Sequence, residues 1–478
     1  LVIAAGEVRL MLRSRLALIG LVTLLLLSAI AAATSWRQME TARLARAASQ
    51  QAADAAFERQ PDRHPHRMVH YGNYAIRPVG PLAAFDPGVD PFTGTVLYLE
   101  GHRQNSATFG AARESSGLIR FGQLTPAFVL QTLAPLLLVF LGFASVARER
   151  ERGGLRALRA HGASTGQIVA GKGLALGCVA LVAAAPALLA LALTAARSPA
   201  EAGVAALVGL GYFLYLAIWV LLIVSGSALA RSGQGALVAL IALWAVTVVL
   251  VPRAAAAWAG LATPLPGRAE TELRINADLR RLGDSHNPDD PFFAAFRARL
   301  LRQYGVTRVE DLPFNYRGAL SAEGERLTSQ LFRDYAAEAA RIQRAQQAQV
   351  LALGWASPAI AVRRASMLGA ATDLDTHLAF LERAEAYRFD MVQRLNRLHT
   401  EKVSAEDDAA RSRDLAAERR TRVTAANWRA IPDFRFDAPA PAARAAGMGA
   451  ALLILALWLG AALAAAAFAA RRLARSDA

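Results

Sequence analysis

Six apolar blocks, each about 20 residues long, constrain this chain more than any other feature, because that length crosses roughly 30 Å of hydrocarbon at about 1.5 Å per residue. They run over Leu16–Trp36, Pro126–Ala147, Leu174–Ala196, Ala205–Leu229, Gly235–Ala257 and Gly447–Ala470. Their central turns carry no Asp, Glu, Lys or Arg, so none meets the cost of a midplane charge. The first run is longer than the apolar core of a signal peptide and is read as a retained span. Hydrophobic residues make up 54% of the 478, more than the roughly 45–50% of a soluble domain, which excludes a soluble globular enzyme. The formal charge of +15 would elsewhere suggest nucleic acid. Here the basic residues flank apolar blocks, so the expected surroundings are a lipid bilayer and no nucleic-acid partner.

Orientation follows from basic residues in the short segments. Arg9, Arg13 and Arg15 precede the first block, six basic residues from Arg148 to Lys172 separate the second from the third, Arg231 separates the fourth from the fifth, and Arg471, Arg472 and Arg475 follow the last. All fall on one side if both termini are cytoplasmic. The expected fold is an all-α integral membrane protein of six transmembrane helices with a mainly helical extracytoplasmic domain. Its parts are a cytoplasmic N-terminus and first span (1–36), a first outer segment (37–124), spans two to five with a cytoplasmic loop at 148–172 (125–257), a large outer helical domain (258–446), and the sixth span with a basic tail (447–478). The Ala- and Arg-rich, nearly Lys-free composition suggests a bacterial chain, hence a multi-pass protein of the inner membrane with large periplasmic segments. The single Cys178 lies in an apolar block and allows no intrachain disulfide.

In the first outer segment, the Ala-rich stretch from Arg37 to Gln60 lacks Gly and Pro and is expected to prolong the first helix. "TVLYLEGHR" alternates as a short half-buried strand does. In the second, Leu327, Leu331, Tyr335 and Ile342 recur at helical spacing, as do Leu374, Leu378, Leu381, Met391, Leu395 and Leu398. A helical hairpin or small bundle is the economical reading.

The loop after the second block is the most informative stretch. Its block ends in the alternating charges Arg148, Glu149, Arg150, Glu151 and Arg152; Gly153 and Gly154 break the helix. A short amphipathic piece then sets Leu155 and Leu158 against Arg156 and Arg159, and Gly162 breaks the chain again before Gly171 and Lys172. This loop resembles the coupling segment of ABC-2-type transporter permeases, with Glu149, Arg150, Glu151, Gly153 or Gly154, and Leu155 matching an E-R-E-x-G-x-L run, and Gly171 and Lys172 a G-K pair. The stretches "DPGVDPFTGTVLYLEGHRQN", "LPFNYRG", "SPAIAVRRASMLGAATDLDTHLAFLERAEAYR" and "NWRAIPDFRF" extend the resemblance to a subgroup with a large, functionally unassigned outer domain before the last span. Small members of that superfamily place short re-entrant helices there; this chain has some 190 residues.

The resemblance implies a non-catalytic permease subunit, exporter-type, with ATP and magnesium held by a separate ABC ATPase subunit. It implies a second copy or a related permease beside it, and coupling through Glu149, Arg150, Glu151, Arg152, Gly153, Gly154, Leu155, Arg156, Arg159 and Lys172. Two rivals stand beside it: mechanotransmission, in which nothing crosses the bilayer and the outer domain drives a periplasmic partner, and a membrane sensor or structural protein without an ATPase. Three patterns imitate other chemistry. Gly166–Gly173 reads G-x-x-x-x-G-K-G, one residue short of a phosphate-binding loop, and Gly162–Gly166 imitates a nucleophile elbow without a sheet to hold it. His64, His66 and His70, with His102 nearby, are weak metal candidates, and the preferred reading is surface or locally hydrogen-bonded histidines with no metal.

Overall fold

The computed structural model describes residues 1–105, 107, 123–283 and 290–476. Among these described residues, six helices are long and apolar enough to cross a membrane, and they coincide with the six blocks. An amphipathic helix α1 (Val2–Arg13) precedes the first and packs against the third. Ser14 then turns extended, and its hydroxyl caps α2 (Arg15–Glu58) by accepting from the Ala17 amide. As expected from the run without Gly or Pro, α2 continues unbroken for 22 residues past Trp36, about 33 Å at the helical rise. Beyond it come α3 (Pro65–Tyr71) and an antiparallel pair, β1 (Asn73–Ile76) and β2 (Val96–Leu99). β2 is the strand expected in "TVLYLEGHR"; its partner carries too few alternating residues to announce itself.

The remaining spans are α4 (Pro126–Glu151), α6 (Thr165–Arg197), α7 (Ala202–Leu229), α8 (Gly233–Ala262) and α14 (Pro441–Ser476), with α5 (Gly154–Ala160) between α4 and α6. α7 is the hub, packing on α6, α4 and α14. α2 and α8 lie at the margin and turn Ile19, Leu26, Val238 and Leu250 outward. Arg253 sits near one end of α8 and is exposed, so its charge is not held in the apolar core.

Two spans contain a π-helical turn, at Val129–Leu133 in α4 and Ala245–Leu250 in α8. The backbone groups loosened there find other partners, as an apolar medium demands. Pro135 cannot donate to the Gln131 carbonyl, which accepts from the Tyr215 hydroxyl at 2.8 Å instead. The Thr132 carbonyl accepts from the Trp244 indole at 3.1 Å, and the Thr247 carbonyl from the Ser357 hydroxyl.

Between α8 and α14 lie α9 (Arg268–Leu282), α10 (Pro291–Tyr304), α11 (Tyr316–Ala352), α12 (Pro358–Ala370) and α13 (Leu374–Lys402). α11 and α13 are the two helices expected from periodicity, and they pack together. α12 is different: the chain descends from α11 to a turn at Leu353–Trp355 and climbs back through α12 among the spans. The Trp458 indole donates to the Gly354 carbonyl at 3.0 Å, and Ala361, Val362 and Ala365 are buried in the same apolar core as α7 and α14. Trp458 and Thr247 lie about ten residues, roughly 15 Å, inside their helices from Gly447 and Ala257. A re-entrant hairpin is therefore embedded in the segment that the sequence reading places wholly outside.

Three of the four stretches quoted for the resemblance meet, at Val89 with Thr372 and at Phe434 with Phe380. Gly88, at φ +51°, brings the Asp86–Asp90 turn against Thr372, whose carbonyl accepts from the Val89 amide at 2.9 Å; a Cβ at Gly88 would collide with Thr372. Arg77 donates to the Ala371 carbonyl and pairs with Asp90 at 3.0 Å. Trp428, fully buried, donates to the Gln60 carbonyl just beyond α2. The two non-membrane segments thus form one structure with a shared core, in which Phe57, Met68 and Leu99 meet Phe380, Met391 and Phe434.

Candidate functional site

The charged loop closes one end of the bundle, and its side chains divide into two sets. Inward-facing groups tie the loop to four other parts of the chain. Lys172, buried, donates to Glu7 of α1 at 2.6 Å and to Glu149 at 3.0 Å, so one ammonium joins α1, α4 and α6. Arg150 donates to the carbonyls of Ala228, at 2.7 Å, and Ala230, where α7 ends without intrahelical partners for them. Glu151 accepts from the Gly233 amide at 2.9 Å, at the start of α8. The Ser227 hydroxyl accepts from the amides of Val146 and Ala147 at 3.0 and 3.1 Å. Leu155 is 1% exposed and belongs to the apolar core, and partly buried Leu158 packs against the same core, so both leucines pin α5.

Outward-facing groups remain at the surface. Arg148, Arg152 and Arg156 are exposed, while Arg159 is partly covered. The glycine breaks have the expected geometry: Gly153 adopts φ +75° and Gly162 φ +88°, a region that L side chains rarely enter. Between them α5 lies as a two-turn element hinged at both ends. The ten residues singled out from sequence therefore do three jobs. Glu149, Arg150, Glu151, Leu155 and Lys172 hold the loop, Gly153 and Gly154 shape it, and Arg152, Arg156 and Arg159 dress it.

Both imitations dissolve in the local geometry. Gly166–Gly173 lies within α6, where amides bond along the helix and cannot cradle a phosphate. Ser164 of "GASTG" is a helix cap: its hydroxyl accepts from the Gln167 amide at 3.2 Å while the Gln167 side chain accepts from the Ser164 amide at 2.9 Å.

A second ion pair closes the opposite end. Arg444, at the start of α14, meets both oxygens of Glu201 at 2.5 and 2.6 Å and donates to the Gly369 carbonyl at 2.6 Å. Arg444 lies 243 positions from Glu201, and no local pattern joins them.

The histidines converge rather than scatter. His64 is buried, its Nδ1 accepts from the His66 amide, and its Nε2 lies 3.2 Å from Asp408. His66 and His70 share one face of α3, with Nε2 atoms 3.3 Å apart, and His102 stacks beside both. His399, which the sequence gave no reason to include, meets Asp408 at 2.9 Å and lies edge-on to His64. Burial works against ionisation of Asp408, but hydrogen bonds from His399 and His64 outweigh it and hold its carboxyl well below the usual range. Two groups result whose ligand atoms all lie within 4.8 Å of one another: His66, His70 and His102, and His64, His399 and Asp408.

Comparison with known families agrees with this architecture. Residues 1–292 match the family described as ABC-2 family transporter protein, and residues 268–437 match a domain of unknown function (DUF3526). No curated protein and no solved structure matches the chain. With six spans, a charged loop anchored beneath them and the domain of unknown function ahead of the last span, the chain belongs to the ABC-2 transporter family as a multi-pass membrane permease subunit.

Proposed function

We propose that this permease is the membrane half of an exporter-type ATP-driven transporter, moved by a separate ATPase subunit that docks on α5. The division of the loop carries this reading: five residues fix it to α1, α4, α6, α7 and α8, while Arg152 and Arg156 stay free to face a partner. A push on α5 passes through Leu155 into the core and through Lys172 into α1 and α6. In this reading both termini and the loop are cytoplasmic, the two large segments are periplasmic, and the membrane is a bacterial inner membrane. ATP and magnesium sit on the partner, and a second copy or a related permease completes the membrane complement.

A second reading, mechanotransmission, draws support from how firmly the outer segments are fastened to the spans. α2 runs unbroken for 44 residues, and the re-entrant hairpin is bonded to α8 and α14. Tilting the spans would then move the outer domain without cargo crossing. Affinity purification from native membranes in mild detergent, with mass spectrometry of what stays bound, tests both. A Walker-type ATPase at one-to-one stoichiometry is expected, and an additional periplasmic protein would favour mechanotransmission. Reproducible recovery without any ATPase would reject both.

A further inference from the structure

We propose that His66, His70 and His102 form a binding site for a borderline transition-metal ion of the zinc or copper kind, at the junction of the two outer segments. Five of the chain's eight histidines gather in this region, although they come from residues 64 to 399.

The geometry is that of a ligand set. His66 and His70 stand four residues apart on α3, which puts both rings on one face. Their Nε2 atoms are 3.3 Å apart, and two nitrogens bound at about 2.0–2.1 Å to one tetrahedral ion are separated by about 3.3–3.4 Å. His102 supplies the third ring from the turn after β2, where it holds φ +67°, unusual for a residue other than glycine. Its strained backbone is fastened: the His102 amide donates to Glu325 at 2.9 Å, and the same carboxylate lies 3.8 Å from its Nδ1. Glu325 is itself fixed by buried Arg388 at 2.6 Å.

The charged groups facing the cluster are Glu325 behind His102, with Arg388, and Asp408 behind His64, with Arg411. The second group is not the ion site. Asp408 Oδ2 already accepts from His399 and Asn315, and Oδ1 lies 2.9 Å from the Arg411 guanidinium and 3.2 Å from His64 Nε2, so a second cation there would have to displace Arg411. It buttresses α3 from behind. Exposed His70 leaves the first group open to solvent on one side, so three protein ligands and one exchangeable position are expected.

The test uses the full chain in detergent micelles, purified through a tag without histidine and stripped with chelator. Zn2+ is titrated in competition with a chromophoric chelator, Co2+ is added for its visible bands, and thermal unfolding is followed with and without Zn2+. One ion per chain, tetrahedral-type cobalt bands and a raised unfolding temperature are expected. His70→Gln, at an exposed position, should weaken Zn2+ binding by at least about tenfold with helical content unchanged, and His102→Gln should do the same. His377→Gln, in a histidine outside the cluster, should leave binding as it was. Binding well below one ion per chain, or full-strength binding in both His70→Gln and His102→Gln, overturns the proposal.

Discussion

The two ends of the helical bundle are closed by the same device and used differently. At the loop end, Lys172 is held by Glu7 and Glu149; at the domain end, Arg444 is held by Glu201 and the Gly369 carbonyl. Each pair joins segments far apart in sequence, and each is buried, where an unpaired charge would be costly. Around Arg444, neighbouring polar groups are consumed inside the fold, by the re-entrant hairpin and the Asp86–Asp90 turn. Around Lys172, Arg148, Arg152 and Arg156 remain exposed, at the end of α4 and on α5, which has glycine breaks at both ends. One end is built to be rigid with the spans; the other offers a surface that a partner can push.

The largest effect should come from breaking the rigid end. Arg444→Ala leaves Glu201 buried without its cation, a loss of about 3–5 kcal/mol. Its unfolding temperature in detergent should fall sharply, and its yield in membranes with it. Wild-type stability in that assay would show that the domain end is not fastened as described.

Acid should act on the outer domain and spare the loop end. His66 has a folded pKa of about 3, below its ordinary 6.5, so the unfolded chain binds the extra proton between those values. The contribution is complete above about pH 6.5 and declines as pH falls toward 3. Asp408, also depressed, adds its loss only below the ordinary carboxylate range. Unfolding temperatures from pH 7 to pH 5 should decline, and less so in His66→Gln; equal slopes would remove His66 from the explanation.

A smaller effect is expected at the loop end. Ser164→Ala removes the capping hydroxyl of α6 and should cost about 1 kcal/mol, while Arg152→Glu with Arg156→Glu should change stability by no more than about 0.5 kcal/mol. A large loss of stability in the double reversal would mean that these arginines hold the fold, erasing the contrast between the ends.

Much of this contrast was legible in the sequence. Length and hydropathy identify spans because lipid leaves the backbone few alternatives, and Gly153 and Gly162 mark the breaks because their conformations exclude other residues. The α11 stripe was read less well. Leu327, Leu331 and Tyr335 are only half-buried, and the most buried positions nearby are Gly324, Glu325 and Ser329. They face inward because Arg388 does, and hydropathy cannot rank a charge that is buried with its counterion. The re-entrant hairpin was missed for a related reason: α12 carries Arg363 and Arg364 and is too short to span. Pairs such as Glu201–Arg444 and His64–Asp408 depend on long-range closure and have no local signature.

The most direct test of the loop end as the docking surface is site-specific photo-cross-linking from position 156 in native membranes. A cross-linked product containing a Walker-type ATPase, lost when the label is moved to exposed Leu415 of the outer domain, is the expected result. If the ATPase copurifies yet gives no product from position 156, or gives it equally from position 415, the loop is not its docking site.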